Sequence, residues 1–269
     1  MKRLVIDADD LGMSRSINAG IARGISTGLV REVSLCVNGA AVDHGIATVA
    51  GCDVGVGLHF TLTQGVALAG PLRGLTHRDG RFLPLTAVLA ACVSGRVLER
   101  DVERELAAQL AGVRARGFEP SHLNGHHHVH IFPVVRDVVI RVAAQERIRH
   151  VRVPIGSERP RLLPRSVVLA VLARAFEKRG RDRLPPAPRV VGLEPADREL
   201  LDRALEGLHS DAEWIVHPRE PDPQARVPSR FAIDHGQLDL ELLLDPELPR
   251  ILRRHGFEPG RFAEIGGAN

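Results

Sequence analysis

Apolar positions along the chain follow two rhythms. Short runs that read as strands recur at 4–6, 30–37, 54–60, 121–128, 150–155, 189–193, 213–216 and 261–265. Between them, apolar residues repeat at helical spacing. Ile17, Ile21 and Ile25 are four apart. Residues 40–49 can also be helical. Over 98–116, Val102, Leu106, Leu110 and Val113 form one stripe, with Glu and Arg on the other face, which predicts an amphipathic helix. Pro133 stands where a further helix would begin, and Val134, Val138 and Val142 mark its buried side. Helical stretches are also expected at 166–179, 195–208 and 238–254. Gly55 and Gly57 alternate through the third strand, so one of its faces is thin.

Strands alternating with helices imply parallel pairing through crossovers. About eight such units in one chain predict an α/β fold, an irregular TIM-like (β/α) barrel. An open doubly wound sheet is the alternative. No repeat, low-complexity tract or change of composition divides residues 1–269, so a single domain is expected. Residues 61–84 read as a long loop of the kind that carries function. Residues 156–188, bracketed by Pro160, Pro164, Pro185, Pro186 and Pro188, read as a lid or insertion.

Composition narrows the classes. The 269 residues are 44% hydrophobic and 26% charged, as in ordinary globular proteins. No apolar run approaches a membrane span, and the apolar stretch after Met1-Lys2-Arg3 is too short for a signal peptide. Cys36, Cys52 and Cys92 imply no disulfide framework and fit a reducing cytoplasm. The net charge of +3 comes from basic side chains spread along the chain, and there is no tyrosine. Both features argue against nucleic acid as a partner. A homodimer is expected on base rates alone.

Polar clusters fall at predicted strand ends, where both folds gather ligands. Asp7, Asp9 and Asp10 follow the first strand. Adjacent carboxylates repel, so they suit either a bound cation or a helix N-terminus, with Gly12 and Ser14 just beyond. His59 ends the third strand; alone it reads as an ordinary hydrogen-bonded histidine. Five of the 13 histidines lie within 122–130: His122, His126, His127, His128 and His130. On an extended strand His126, His128 and His130 would share a face, an arrangement suited to a metal. His217, before Pro218, ends a late strand and reads equally as a turn residue. A carboxylate and imidazoles from different strands would leave coordination positions open, as catalytic metals require.

These pieces resemble the YdjC-like carbohydrate deacetylase family, which includes chitooligosaccharide deacetylases. The matching segments are Ala8-Asp9-Asp10-Leu11-Gly12 with Asn18 and Gly20, then Val37-Asn38-Gly39 and Asp43-His44. Gly57-Leu58-His59-Phe60 follows, with Leu62-Thr63 and Gly65. His122-Leu123 and His126-His127-His128-Val129-His130 with Phe132-Pro133 are the most specific, and His217-Pro218 closes the set. The resemblance covers most of 1–155 and implies an irregular (β/α) barrel. It makes Asp10, His59 and His126 the ligands of a divalent metal, Asp9 the general base and His217 the general acid. It points to Mg²⁺, whereas two imidazoles suit Zn²⁺, Co²⁺ or Mn²⁺ at least as well. The implied reaction is removal of the N-acetyl group from an acetylated amino sugar or short oligosaccharide, chitobiose-like, releasing acetate. Asp7 stands where the family often has Asn, adding charge near the metal, and Leu11 where it often has Phe, altering the wall beside the sugar. With one tryptophan, Trp214, and no tyrosine, a short substrate in a mostly polar groove is expected. Two rival readings are another metal-dependent amidohydrolase or phosphoesterase and a non-catalytic sugar-binding barrel. The first usually opens with His-x-His on its first strand, which this chain lacks. The second has no need of the aspartates and histidines together.

Overall fold

A computed structural model describes residues 1–156, 164–192, 197–222 and 235–265. Seven parallel strands form one sheet among them: β1 (Lys2–Leu11), β2 (Glu32–Leu35), β3 (Gly55–Phe60), β4 (Leu123–Gly125), β5 (Arg189–Val191), β6 (Ala212–Val216) and β7 (Phe257–Gly260). The order is β4-β3-β2-β1-β6-β5. β1 is long enough to take two neighbours in succession on one side. β7 pairs with Lys2 to Val5, and β2 pairs from Asp7 onward. β6 lies along the other side.

The helices are α1 (Arg15–Ser26), α2 (Val42–Val49), α3 (Leu85–Val93), α4 (Glu99–Arg114), α5 (Val135–Gln145), α6 (Pro164–Gly180), α7 (Arg198–Glu206), α8 (His235–Leu243) and α9 (Leu248–Arg254). The stripe on α4 is buried as its spacing predicts: Val102, Leu106, Leu110 and Val113 are at most 2% exposed. Each such side chain contributes about 1.5–3 kcal/mol. The neighbouring row is polar yet also buried. Glu105 accepts the backbone N–H groups of Leu68 and Ala69, and Gln109 bonds the backbone of Thr61. In this way α4 pins down the long 61–84 loop.

The fold is an α/β domain with a curled parallel sheet, short of the expected eight-stranded barrel. Residues 150–155 do not form the fifth strand. Residues 151–156 instead make single bridges, Val151 to Leu123 on β4 and Gly156 to Val190 on β5, so one segment touches both sheet edges. Pro154 lacks the N–H a ladder needs, and the Ile155 N–H turns back to the Val153 carbonyl at 2.7 Å. The last strand is β7 and not 261–265, where Phe262–Glu264 is a 3₁₀ turn. The stretch expected to be helical at 238–254 is two helices, α8 and α9. Helix α6 lies where the lid was expected; 157–163 of that segment fall outside the described residues. The thin face of β3 has a clear use. A Cβ on Gly57 would lie 2.4 Å from the His122 ring, so the missing side chain makes room for that imidazole.

Candidate active site

β1 builds the acidic part of the site. Asp7 and Asp9 are two residues apart and point to one face. Pairing with β2 shifts register between Ala8 and Leu11, and Asp10 has φ 69°. Aspartate tolerates this left-handed conformation better than most residues. The irregularity re-aims the Asp10 side chain, which meets two histidines: its Oδ1 is 3.2 Å from His59 Nε2 and 2.8 Å from His126 Nδ1. One donor atom from each of the three residues lies within 4.8 Å of the others.

The histidine run is not a strand. β4 ends at Gly125 and His126–Ile131 is a 3₁₀ turn, with His127 and His128 both at φ 54°. Left-handed backbone costs roughly 1–2 kcal/mol per residue. The turn abolishes the expected shared face of His126, His128 and His130. His126 reaches Asp10. His127 Nδ1 bonds Thr63 Oγ1 at 2.9 Å. His130 is fully buried, with Nε2 on the Arg152 carbonyl at 2.8 Å, and desolvation pushes its pKa down to about 3. It is a neutral core residue, and of the three only His126 joins the metal candidates.

Beneath the donors lies a buried ionic cluster. Arg152, 3% exposed, donates two bonds to Asp9 (2.6 and 2.9 Å), one to Asp7 (2.8 Å) and one to Glu213 (2.5 Å). Burial raises the Asp9 pKa, but the Arg152 charge and its hydrogen bonds, with His59 and His217 nearby, hold it well below the usual carboxylate range. Glu213 shares the same guanidinium and goes the other way. Burial, with Asp7 and Asp9 close by, pushes it up to about 7 against the pull of Arg152. For Asp10, burial is outweighed by the charges and hydrogen bonds of His126 and His59, which lower its pKa.

Asp7 does not face the metal candidates. It is fully buried, its Oδ2 engaged by Arg152, by His122 Nε2 (2.9 Å) and by Ser34 Oγ (2.9 Å). Its extra charge is spent in the core, contrary to the expectation that it acts at the ion. Leu11 is likewise fully buried and lines no sugar wall, and Trp214, 0% exposed, offers no stacking face. Asn18, a matched motif residue, is structural: it ties the Gly12 N–H to the Ala41 carbonyl and to His44.

His122 sits between Asp7 and Glu32. Burial lowers its pKa, but those two carboxylates prevail and raise it to about 10 from 6.5. A histidine with a raised folded pKa stabilises the fold fully below its unfolded value. That contribution is lost as pH rises through the folded value. Unfolding free energy is therefore expected to fall between about pH 6.5 and 10, and His122→Gln to flatten that slope. Urea titrations across this range check it; an unchanged slope in the variant refutes the assignment.

His217, at the end of β6, is half-exposed. Its Nε2 is 3.8 Å from Asp9 Oδ2 and its Nδ1 3.9 Å from Asp239 Oδ2. Asp239, on α8, accepts the His217 backbone N–H at 2.7 Å, and burial raises its pKa. The segment after His217 packs against α1 so closely that a Cβ on Gly20 would lie 2.5 Å from the Pro218 carbonyl oxygen. Gly20 thus lets α1 seat the loop that carries His217.

The structure brings together Asp9, Asp10, His59, His126 and His217, which sequence reading had singled out. It adds Arg152, Asn124, Asp239 and Gln64, which that reading missed. Arg152 had one signal, a lone cation in the apolar run Val151-Arg152-Val153. Asn124 lies inside the histidine motif. Asp239 and Gln64 carried none.

The donor chemistry suits a divalent cation. Two donors about 2.1 Å from one ion at 90–109° lie about 3.0–3.4 Å apart, close to the 2.8 and 3.2 Å separations at Asp10. Cys36 is near, its Sγ 3.9 Å from Asp10 Oδ1, and burial and the charges of Asp10 and Asp9 hold its thiol pKa well above the usual range. The donors are one carboxylate oxygen and two imidazole nitrogens.

Comparison with known proteins identifies the family and the fold. The family described as YdjC-like protein matches residues 3–254. A carbohydrate deacetylase of Brevibacillus brevis is 33% identical over 147 residues, 54% of this chain and 57% of that protein. One of Geobacillus stearothermophilus is 36% identical over 161 residues, 60% and 62% of the two chains. Each match spans less than two thirds of the curated relative. In fold, a crystal structure from Enterococcus faecalis V583, described as that of a candidate cellobiose-phosphate cleavage protein, superimposes with a TM-score of 0.75. It shares 18% identity, covering 97% of this chain and 98% of that one.

Proposed function

The chain belongs to the YdjC-like protein family, and from that premise we propose that it is a metal-dependent carbohydrate N-deacetylase. The observation that carries this reading is the convergence of three potential metal donors with a separate ionised carboxylate and a half-exposed histidine. Hydrolysis of an acetamide needs these parts: an electrophile for the carbonyl, a base for water and an acid for the amine. Asp10, His59 and His126 would hold the cation. When bound, a divalent cation polarises the amide carbonyl and acidifies water at the site. Mg²⁺ follows from the family resemblance, while the O,N,N donor set suits Zn²⁺, Co²⁺ or Mn²⁺ equally.

Asp9 acts as the base. Arg152 keeps it ionised and fixes its plane by bonding both oxygens, and Oδ2, which also lies toward His217, takes the proton from water on its remaining lone pair. The remaining hydroxyl adds to the acetyl carbon. As the carbon–nitrogen bond breaks, protonated His217 delivers its Nε2 proton to the departing amine. Acetate and a free amino sugar leave. Asp239, 3.9 Å from Nδ1 and bonded to the His217 backbone N–H, holds the residue in place. The 61–84 loop, with Thr63 beside His127 and Gln64 beside His126, forms part of the rim that meets the sugar. The substrate is a small N-acetylated saccharide, the disaccharide level being favoured by the lack of exposed aromatic platforms among the described residues. Residues 1–269 act as one domain. No helix among the described residues is long and apolar enough to cross a membrane.

Acetate release from N-acetylated mono-, di- and oligosaccharides, by chelated protein and after adding each divalent ion, tests the proposal. Release is expected only with a metal and only from N-acetyl sugars. No release from any substrate with any ion would refute it.

A further inference from the structure

The two candidate imidazole donors are held in opposite ways. His59 is 2% exposed, and its Nδ1 is 2.6 Å from Asn124 Oδ1 while Nε2 faces Asp10. His126 is turned round: Nδ1 faces Asp10, and Nε2 is 3.2 Å from Gln64 Oε1. In a neutral imidazole one nitrogen carries the proton and the other the lone pair, and the bond made by one determines the state of the other. An amide oxygen accepts only, so each of these contacts needs the proton on the nitrogen that faces the amide.

The orientation of Asn124 follows from its surroundings. Its Nδ2 donates toward Ser34 Oγ (2.7 Å), Asp7 Oδ2 (3.1 Å) and Asp9 Oδ1 (3.1 Å), all of which can accept. The amide oxygen is therefore the atom left for His59. Gln64 is placed by its backbone. Asn38 Nδ2 donates to the carbonyls of Gln64 (3.4 Å) and Val66 (3.1 Å), and Thr61 Oγ1 also reaches the Gln64 carbonyl (3.3 Å).

We infer that Asn124 and Gln64 are positioning residues that select opposite ring nitrogens for one cation, Nε2 of His59 and Nδ1 of His126. The inference rests on the metal site proposed above. It has a consequence for the rim. Gln64 belongs to the exposed loop expected to meet the sugar, so that loop also determines how well His126 presents its lone pair. Asn124 plays its part from the core, contacting the proposed base and a proposed ligand at once. Metal affinity is thus tied to a surface segment on one side and to the buried Arg152 cluster on the other.

Histidine ¹⁵N spectra of the full chain, metal-free and loaded with Zn²⁺, test this directly, with signals assigned by single histidine substitutions. In the Zn²⁺ form the proton is expected on Nδ1 of His59 and on Nε2 of His126. The same nitrogen protonated in both rings overturns the inference. Gln64→Leu, at an exposed position, is expected to keep the wild-type melting temperature and to weaken Zn²⁺ binding about 10- to 100-fold by calorimetry. The His126 ring should then lose its single tautomer. Gln64→Glu, which keeps an acceptor, is expected to restore both. Unchanged Zn²⁺ affinity and spectrum in Gln64→Leu would make Gln64 a bystander. Absence of Zn²⁺ binding by the wild-type chain would instead overturn the metal site itself, and this inference with it.

Discussion

Arg152→Met is expected to lose about 3–5 kcal/mol of stability, the usual cost of removing one partner from a buried ion cluster. One guanidinium is the shared counter-charge of Asp7, Asp9 and Glu213, each at most 2% exposed. Without it three carboxylates share a dry space, and their pKa values rise. An acid whose folded pKa is raised costs stability above that pKa and regains it on protonation. The deficit is therefore expected to be largest near pH 8 and to shrink toward pH 5. Urea unfolding at both pH values measures it. Arg152→Lys is expected to rescue little, because an ammonium cannot reproduce the planar fork that reaches three partners. A deficit below about 1 kcal/mol, or one independent of pH, would show that the cluster is not held by that charge.

For Asp9→Asn the expected loss is in turnover. A positioned general base contributes about 10²–10⁴-fold, and the amide keeps the shape of the carboxylate without its basicity. Arg152 retains Asp7 and Glu213 as counter-charges, so the variant should fold. Zn²⁺ binding should persist, because the candidate donors are Asp10, His59 and His126. Acetate release is expected to fall within that range while saccharide binding survives. Acetate release at the wild-type rate would remove Asp9 from the role of base and leave a different residue to be found.

These outcomes also separate two kinds of information in the chain. Local pattern carries the helices and most strands because each depends on neighbours a few positions away. The α4 stripe and the run into β3 are examples. The candidate site was legible through the family motif its residues spell; read singly, the carboxylates also suited a helix N-terminus, His59 an ordinary hydrogen-bonded role and His217 a turn. The histidine run misled for a physical reason. Alternation on a strand assumes an extended backbone, and two consecutive left-handed residues, His127 and His128, break that assumption where no glycine announces it.

By itself the amino-acid sequence determined the parallel α/β class, the burial of the amphipathic faces and which side chains could do chemistry. Only the tertiary structure decided which of them meet. Arg152 sits 143 residues from Asp9 along the chain, and nothing local links them. Asp7 became a core counter-ion and His130 a neutral core residue for the same reason. A charge takes its role from what surrounds it once water is excluded, and those surroundings come from segments far apart in the chain.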